Sequence, residues 1–409
     1  MWLINTRTYE LEPITNPEPR SYAILSHTWE DGEVSFQEYQ KLGKLGRLKG
    51  LQAVLSRMGT MRGLRKVLKT VQMARSRGLQ YAWVDTCCID KSSSAELSEA
   101  INSMFKWYEE AQVCFTYLSE LPSFEHLRRT YPKAEFDELV QRQGELFCSC
   151  RWFSRGWTLQ ELLAPRAVEF YDCEWNEYGE RTFLWESIKS ITNIPVHVLN
   201  KSTPLQSITI AQRMSWAAHR NTTRVEDMAY CLIGIFDLNM TLLYGEGPKA
   251  FIRLQEEICK QSTDLSLFAW RAEDSQGKYR GVFASSPSEF KNCNDIGFRY
   301  NWKYYNGEFR ITNRGMCLDD CRLYRQDGHL ILPLDCFDKT RHFKDQLIGI
   351  ALTKSPHGYV RTHPHTFKYL KPLIRASGRI YTGITYLAFT SSDRSPPWLP
   401  TYSTINPSR

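Results

Sequence analysis

The sequence predicts an α/β chain in which a parallel-sheet domain is followed by a helical section and then a small antiparallel β-rich domain. Three observations carry this reading. Short β-rich apolar runs alternate with amphipathic helical patterns over the first third, as in a parallel sheet wound with helices. Helical spacing then prevails from about residue 186. From about residue 266 short apolar runs return, separated by polar turns. The 409 residues are enough for two or three domains with cores of their own, and 42% hydrophobic with 24% charged residues is the balance of ordinary globular domains.

Taken in order, residues 22–26 (YAILS) read as the first strand. Residues 41–63 are basic and glycine-interrupted, an insertion. Leu64, Val67, Leu68 and Val71 fall at helical spacing and predict a helix over 63–77 that stops at Gly78. Residues 80–86 (QYAWVDT) form a second buried strand, and the loop CCIDKSSS leads to a helix over about 95–110 with Leu97, Ile101, Met104, Phe105 and Tyr108 on one face. Residues 112–118 (QVCFTYL) give a third strand. A polar stretch, 120–150, holds a helix near 136–146; residues 151–163 open another, and 167–171 (AVEFY) supply the fourth strand. The first domain therefore covers residues 1–185, with the basic insertion at 41–63.

The helical section, 186–262, begins with a helix over 208–220. Thr223-x-x-Glu226 has the capping-box pattern and predicts a second, with Val225, Met228, Leu232 and Ile233 facing inward. Pro248 lies just inside a third, where a missing N–H costs no hydrogen bond. Residues 263–395 form the β-rich domain, with apolar runs at 266–271, 281–284, 330–336, 346–352 and 380–389. Residues 396–409 are proline-rich and read as a loose tail.

Composition excludes several classes. The longest apolar run, AYCLIGIF, is far below the roughly 20 residues of a membrane span. The start, MWLINTRTYELEP, lacks a secretory pattern, which points to the cytosol or nucleus, with a cytoplasmic location expected. Twelve cysteines in such a chain read as reduced thiols, and no paired C-x-x-C spacing marks a metal site, so no metal is expected. Between residues 41 and 77 stand eleven Lys and Arg and no acid, more than the whole chain's net +7. Such a stretch suits nucleic acid or anionic lipid, but it has no reading motif and little aromatic interleaving, and it reads first as a solvated helical face.

Ligands of a parallel α/β sheet gather beyond the carboxyl ends of its strands. After the first strand come Ser26, His27, Trp29 and Asp31; after the second, Asp85, Cys87, Cys88 and Asp90. The cysteines have no adjacent activating group and read as small buried side chains, and the aspartates as loop-fixing acceptors. Trp157 and Glu161 are four residues apart, on one face of a helix, so that an indole and a carboxylate share a site. Arg213, Trp216, Arg224, Glu226 and Asp227 read as a bracing network.

The blocks SHTWEDGEVSF, YAWVDTCCIDKSSSAELSEAINSMFKWYEEAQVCFTYL, RGWTLQELLAPR and RMSWAAHRNTTRVEDMAYCLIGIFDLNMTLLYGEG resemble, in order, those of the fungal heterokaryon-incompatibility (HET) domain family. That family is remotely similar to the Toll/interleukin-1 receptor (TIR) domain, a flavodoxin-like module. Trp157 and Glu161 match the spacing of the TIR W-C-x-x-E motif, with Thr158 in place of its cysteine. Enzymatic TIR domains use that glutamate to cleave NAD.

The resemblance thus implies Glu161 as catalytic residue and a cell-death role in incompatibility. It implies Ser26, His27, Trp29, Asp31, Asp90 and Trp157 around the substrate, with NAD or a related nucleotide as substrate and no cofactor. Assembly into a homo-oligomer on activation and an incompatibility partner protein follow from the same likeness. The competing reading is a non-enzymatic signalling or self-association module.

Overall fold

The computed structural model describes residues 1–15, 17–44, 62–273, 278–298, 308–313, 315–341, 346–356, 358–370 and 380–388. Most of the basic insertion and the whole proline-rich tail lie outside them. Two compact units are present, residues 1–261 with 285–295, and residues 262–284 with 296–409.

The first unit is built on a sheet of β1 (Trp2–Asn5), β2 (Leu11–Pro13), β3 (Tyr22–His27), β4 (Tyr81–Trp83), β5 (Val113–Tyr117), β6 (Val168–Tyr171) and β7 (Glu177–Glu180), in the order β2-β1-β4-β3-β5-β6-β7. The four expected strands, β4, β3, β5 and β6, pair in parallel. Antiparallel β1 and β2 extend one edge and β7 the other. These three short edge strands carry too little pattern to be read from sequence. The chain passes from β3 to β4 on one side and then to β5 on the other, so the order of connection reverses at β3.

Every residue of β3 is buried. Helices cover the sheet, which is why its strands are apolar throughout instead of alternating. The Arg62–Ser76 helix buries Leu64, Val67, Leu68 and Val71, as its spacing requires. The Ser94–Glu110 helix starts at Ser93, whose hydroxyl accepts the Glu96 amide, and buries Ile101, Met104, Trp107 and Tyr108. A Cβ on Gly234 would stand 2.1 Å from Phe105 Cβ, so only glycine lets the Ile233–Ile235 turn lie against this helix.

Three expected elements are corrected. Residues 151–163 are not one helix: a 3-10 turn, Arg151–Ser154, and the Thr158–Leu163 helix are separated by extended Arg155. The helix expected over 208–220 is confined to Ile210–Ser215, started by the Thr209 hydroxyl. Glu226 does not close a capping box. Its carboxylate accepts the amides of Gly245 (2.8 Å) and Gly247 (3.0 Å), both at positive φ, and so holds the turn ahead of the Lys249–Gln261 helix. Pro248 immediately precedes that helix. Arg213 braces its neighbourhood through the Ile235 carbonyl (3.1 Å) and the Phe236 ring.

The second unit is β-rich. Its strands are β8 (Tyr279–Arg280), β9 (Ile296–Phe298), β10 (Phe309–Thr312), β11 (Gly315–Gln326), β12 (His329–Pro333), β13 (Cys336–Asp338), β14 (Leu347–Ser355), β15 (Gly358–Thr362), β16 (Lys368–Leu370) and β17 (Ile380–Leu387). The main sheet runs β16-β14-β12-β11-β17-β15-β8, and pairing of β14 with β15 closes five of its strands into a ring. Most pairs are antiparallel; β15 and β17 meet in parallel. The run at 266–271 forms a 3-10 turn, Leu265–Phe268, instead of a strand.

Candidate functional site

At the carboxyl ends of β3 and β4 the first unit encloses a cavity of about 350 Å³. Its apolar wall is the Ser94–Glu110 helix, through Leu97, Ile101 and Met104, with Leu25 and Ile89 beside it. Its polar wall comes from the short helix that carries Glu161.

That helix, Thr158–Leu163, is held at both ends by buried arginines. Arg220 donates to the Arg155 carbonyl (2.8 Å) and to Thr158 Oγ1 (2.9 Å) at the start. Arg181 donates to the carbonyls of Leu162 (2.5 Å), Pro165 (3.0 Å) and Arg166 (2.8 Å) at the end, where helix carbonyls lack partners. The Thr158 hydroxyl bonds the carbonyls of Trp152 and Arg155, so threonine here locks the break between two turns. Gly156 completes the join: its amide donates to the Asn221 carbonyl (2.8 Å), and a Cβ there would sit 2.5 Å from Thr222 Cγ2.

Glu161, 8% exposed, faces this cavity. The Trp152 indole donates to Ser26 Oγ (2.7 Å) and Ser26 donates to Glu161 Oε2. An indole N–H only donates, so it fixes the direction of the Ser26 hydroxyl toward the carboxyl. The Tyr108 hydroxyl, which donates to the Leu25 carbonyl (3.0 Å), lies on the same cavity. Burial pushes the Glu161 carboxyl up to about 8 and Asp85 adds to the rise, against Ser26, Arg155 and Tyr108, which favour the ionised form. Burial thus favours the neutral form of this carboxyl.

Of the residues singled out from sequence, His27, Trp29, Trp157 and Glu161 line the cavity, and Ser26 supports it from behind. Trp29 is a 45% exposed rim residue whose indole donates to Asp85 Oδ2 (2.7 Å). His27 stands 3.5 Å from Glu33 and 3.9 Å from Asp85. Asp31 is exposed on its loop and Asp90 serves its own turn, accepting from Ser92 and Gln37; neither lines the cavity. Cys87 and Cys88 are buried, with burial raising the Cys87 thiol well above its ordinary range.

Sequence reasoning missed the far wall: Asn221, Thr222, Thr223, Arg224, Asp227 and Tyr244, and with them Arg155 and Lys91. Of these, Arg224 and Asp227 read from sequence as part of a bracing network. The only signal for a site was its density of polar and charged groups beside RGWTLQELL in the order of motifs. A parallel bridge between Arg155 and Asn221 stitches this wall to the Glu161 helix. Among the described residues, no group of His, Cys, Asp or Glu side chains could hold a metal ion, and no helix is long and apolar enough to cross a membrane.

Comparison with known proteins places part of this chain in a known family. The family model described as heterokaryon incompatibility protein (HET) matches residues 22–161, from β3 to Glu161 itself, and one for a domain of unknown function, DUF8212, matches residues 249–281. The vegetative incompatibility protein HET-E-1 of Podospora anserina is 39% identical over 310 residues, which cover 75% of this chain and 20% of that protein, so the chain spans a fifth of its relative's length. No solved structure matches. The strand, loop and helix that meet at the cavity are thus the segment the family shares, and through it the chain belongs to the fungal heterokaryon incompatibility (HET) family.

Proposed function

We propose that this chain acts in fungal heterokaryon incompatibility, as the name of its relative indicates for that protein, and that its cavity cleaves NAD. In this reading the first unit is a flavodoxin-like, TIR-like module: its parallel strands, counted along the chain, stand in the order 2-1-3-4 of such sheets. The carrying observation is that Glu161 and Trp157 face one cavity together with His27 and Trp29. Its volume is at the low end of the roughly 300–1,000 Å³ of ligand pockets and suits the nicotinamide–ribose end of NAD.

The chemistry fits one carboxyl. The bond between ribose C1′ and the pyridinium nitrogen breaks, its electron pair leaves with neutral nicotinamide, and water adds at C1′ with loss of a proton. No acid is needed for the leaving group. The arriving pyridinium charge favours ionisation of Glu161, and the carboxylate then faces the positive charge as it moves onto the ribose, in a site its hydrogen bonds have already oriented. Trp157 supplies a ring surface. Action in the cytoplasm and assembly into a homo-oligomer complete the proposal.

The test is nicotinamide release from NAD by the purified chain. The wild type releases it, and Glu161→Gln loses at least about a hundredfold of the rate. Equal release from both, or none from either when assembled, overturns the catalytic reading. The second reading, a signalling module without catalysis, draws on the neutral, hydrogen-bonded state of Glu161. It requires Glu161→Gln to retain full cell-death activity.

A further inference from the structure

Apart from His27, the carboxyl, lysine and arginine side chains on this cavity, three acids and three cations, divide in an unusual way. The three acids each accept from neutral donors: Asp85 from Trp29, Asp227 from Tyr244 (2.9 Å), and Glu161 from Ser26. The three cations have neither a side-chain hydrogen bond nor an ion pair among the described residues. Lys91 lies over the Trp29 ring at 3.6 Å and Arg224 over the Tyr244 ring at 4.5 Å, contacts that use a π face and leave the N–H donors open. Arg155 has no such contact.

This is not how the chain pairs charges elsewhere. Behind the cavity, Lys66 meets Glu33 at 2.6 Å and Glu30 at 3.1 Å directly. The backbone segments that carry the two arginines are tied to each other. The bridge from Arg155 to Asn221 joins their segments, the Asn221 amide donates to the Ser154 carbonyl (2.7 Å), and the Thr222 hydroxyl donates to the Arg224 carbonyl (2.6 Å).

We propose that the cavity binds the phosphate of a nucleotide through Arg155 and Arg224, with Lys91 as a third cation. An open guanidinium fork matches phosphate oxygens bidentately, and the aromatic and apolar lining takes the attached ring and sugar. The proposal rests on reading this cavity as the nucleotide site of the preceding section, but not on the cleavage step.

Titration calorimetry of the full chain with adenosine, AMP and ADP-ribose tests it. AMP and ADP-ribose bind at least tenfold tighter than adenosine, and Arg155→Gln with Arg224→Gln abolishes that preference while adenosine affinity stays. Inorganic pyrophosphate competes with ADP-ribose on the wild type, and Arg224→Gln alone, at an exposed position, weakens ADP-ribose should the double variant fail to fold. Equal binding of adenosine and AMP, no binding of either phosphate ester at millimolar concentration, or an unchanged preference in the folded variants overturns the inference. Phosphate preference without nicotinamide release keeps this inference and ends the cleavage reading; nicotinamide release without phosphate preference does the reverse.

Discussion

Two groups of charges on either side of His27 show what a few ångströms of surroundings do to the same side chain. On the cavity side, Glu161 accepts from the Ser26 hydroxyl, and burial pushes its carboxyl up to about 8. On the loop side, Glu33 is also subject to burial, yet the hydrogen bonds and charges of His27 and Lys66 overcome it and hold the carboxyl down to about 2. The lesson is a division of labour. The loop side is a closed ion network that fixes the end of β3, while the cavity side keeps a proton available for exchange with a ligand.

The largest test removes the network. Lys66→Met leaves Glu33 and Glu30 without their cation and takes away the donor to the Thr28 carbonyl, for a loss of roughly 3–5 kcal/mol, read by denaturant unfolding. A loss below about 1 kcal/mol would mean the network fixes nothing.

Next comes Glu161→Gln. The native carboxyl is raised above its unfolded value, so its contribution is complete at low pH and is lost as pH rises from the ordinary carboxylate range through about 8. Glutamine cannot ionise. The variant therefore matches wild type near pH 4 and gains on it at up to about 1.4 kcal/mol per pH unit, reaching roughly 4 kcal/mol near pH 8. Glu33 has the opposite sign: its share of stability is present above the ordinary carboxylate range and falls away as pH drops through about 2, so Glu33→Gln costs stability at neutral pH.

A smaller effect sharpens the cavity side alone. Ser26→Ala removes a donor that favours ionised Glu161, so the acidic limb of any pH–rate profile, where activity rises as the carboxyl ionises, moves up by about one unit, roughly 1.4 kcal/mol. An unmoved profile would show that Ser26 does not orient the carboxyl. Smallest is Trp29→Ala on the exposed rim, which changes unfolding free energy by less than about 1 kcal/mol in thermal melts.

What could be read from sequence was what is local. The four parallel strands announced themselves as apolar runs because helices bury both faces, and Trp157 with Glu161 by a four-residue spacing and the HET resemblance. Even there the helix was overextended, since nothing in RWFSRGW says that Thr158 and Arg220 together break the turn at Arg155. Tyr108 reads as one more residue of an apolar helical face, although its hydroxyl donates to the Leu25 carbonyl and it lines the cavity. The far wall was invisible for a different reason. Arg224 and Asp227 reach the cavity only through a bridge between residues 66 positions apart, a contact no periodicity records.

The most direct measurement is the titration of the Glu161 carboxyl by carbon-13 NMR, with Glu161→Gln assigning the signal. A midpoint near 8 in the empty protein, moving down when NAD occupies the cavity, is the expected result. A midpoint in the ordinary carboxylate range near about 4.3, unmoved by NAD, would contradict the account.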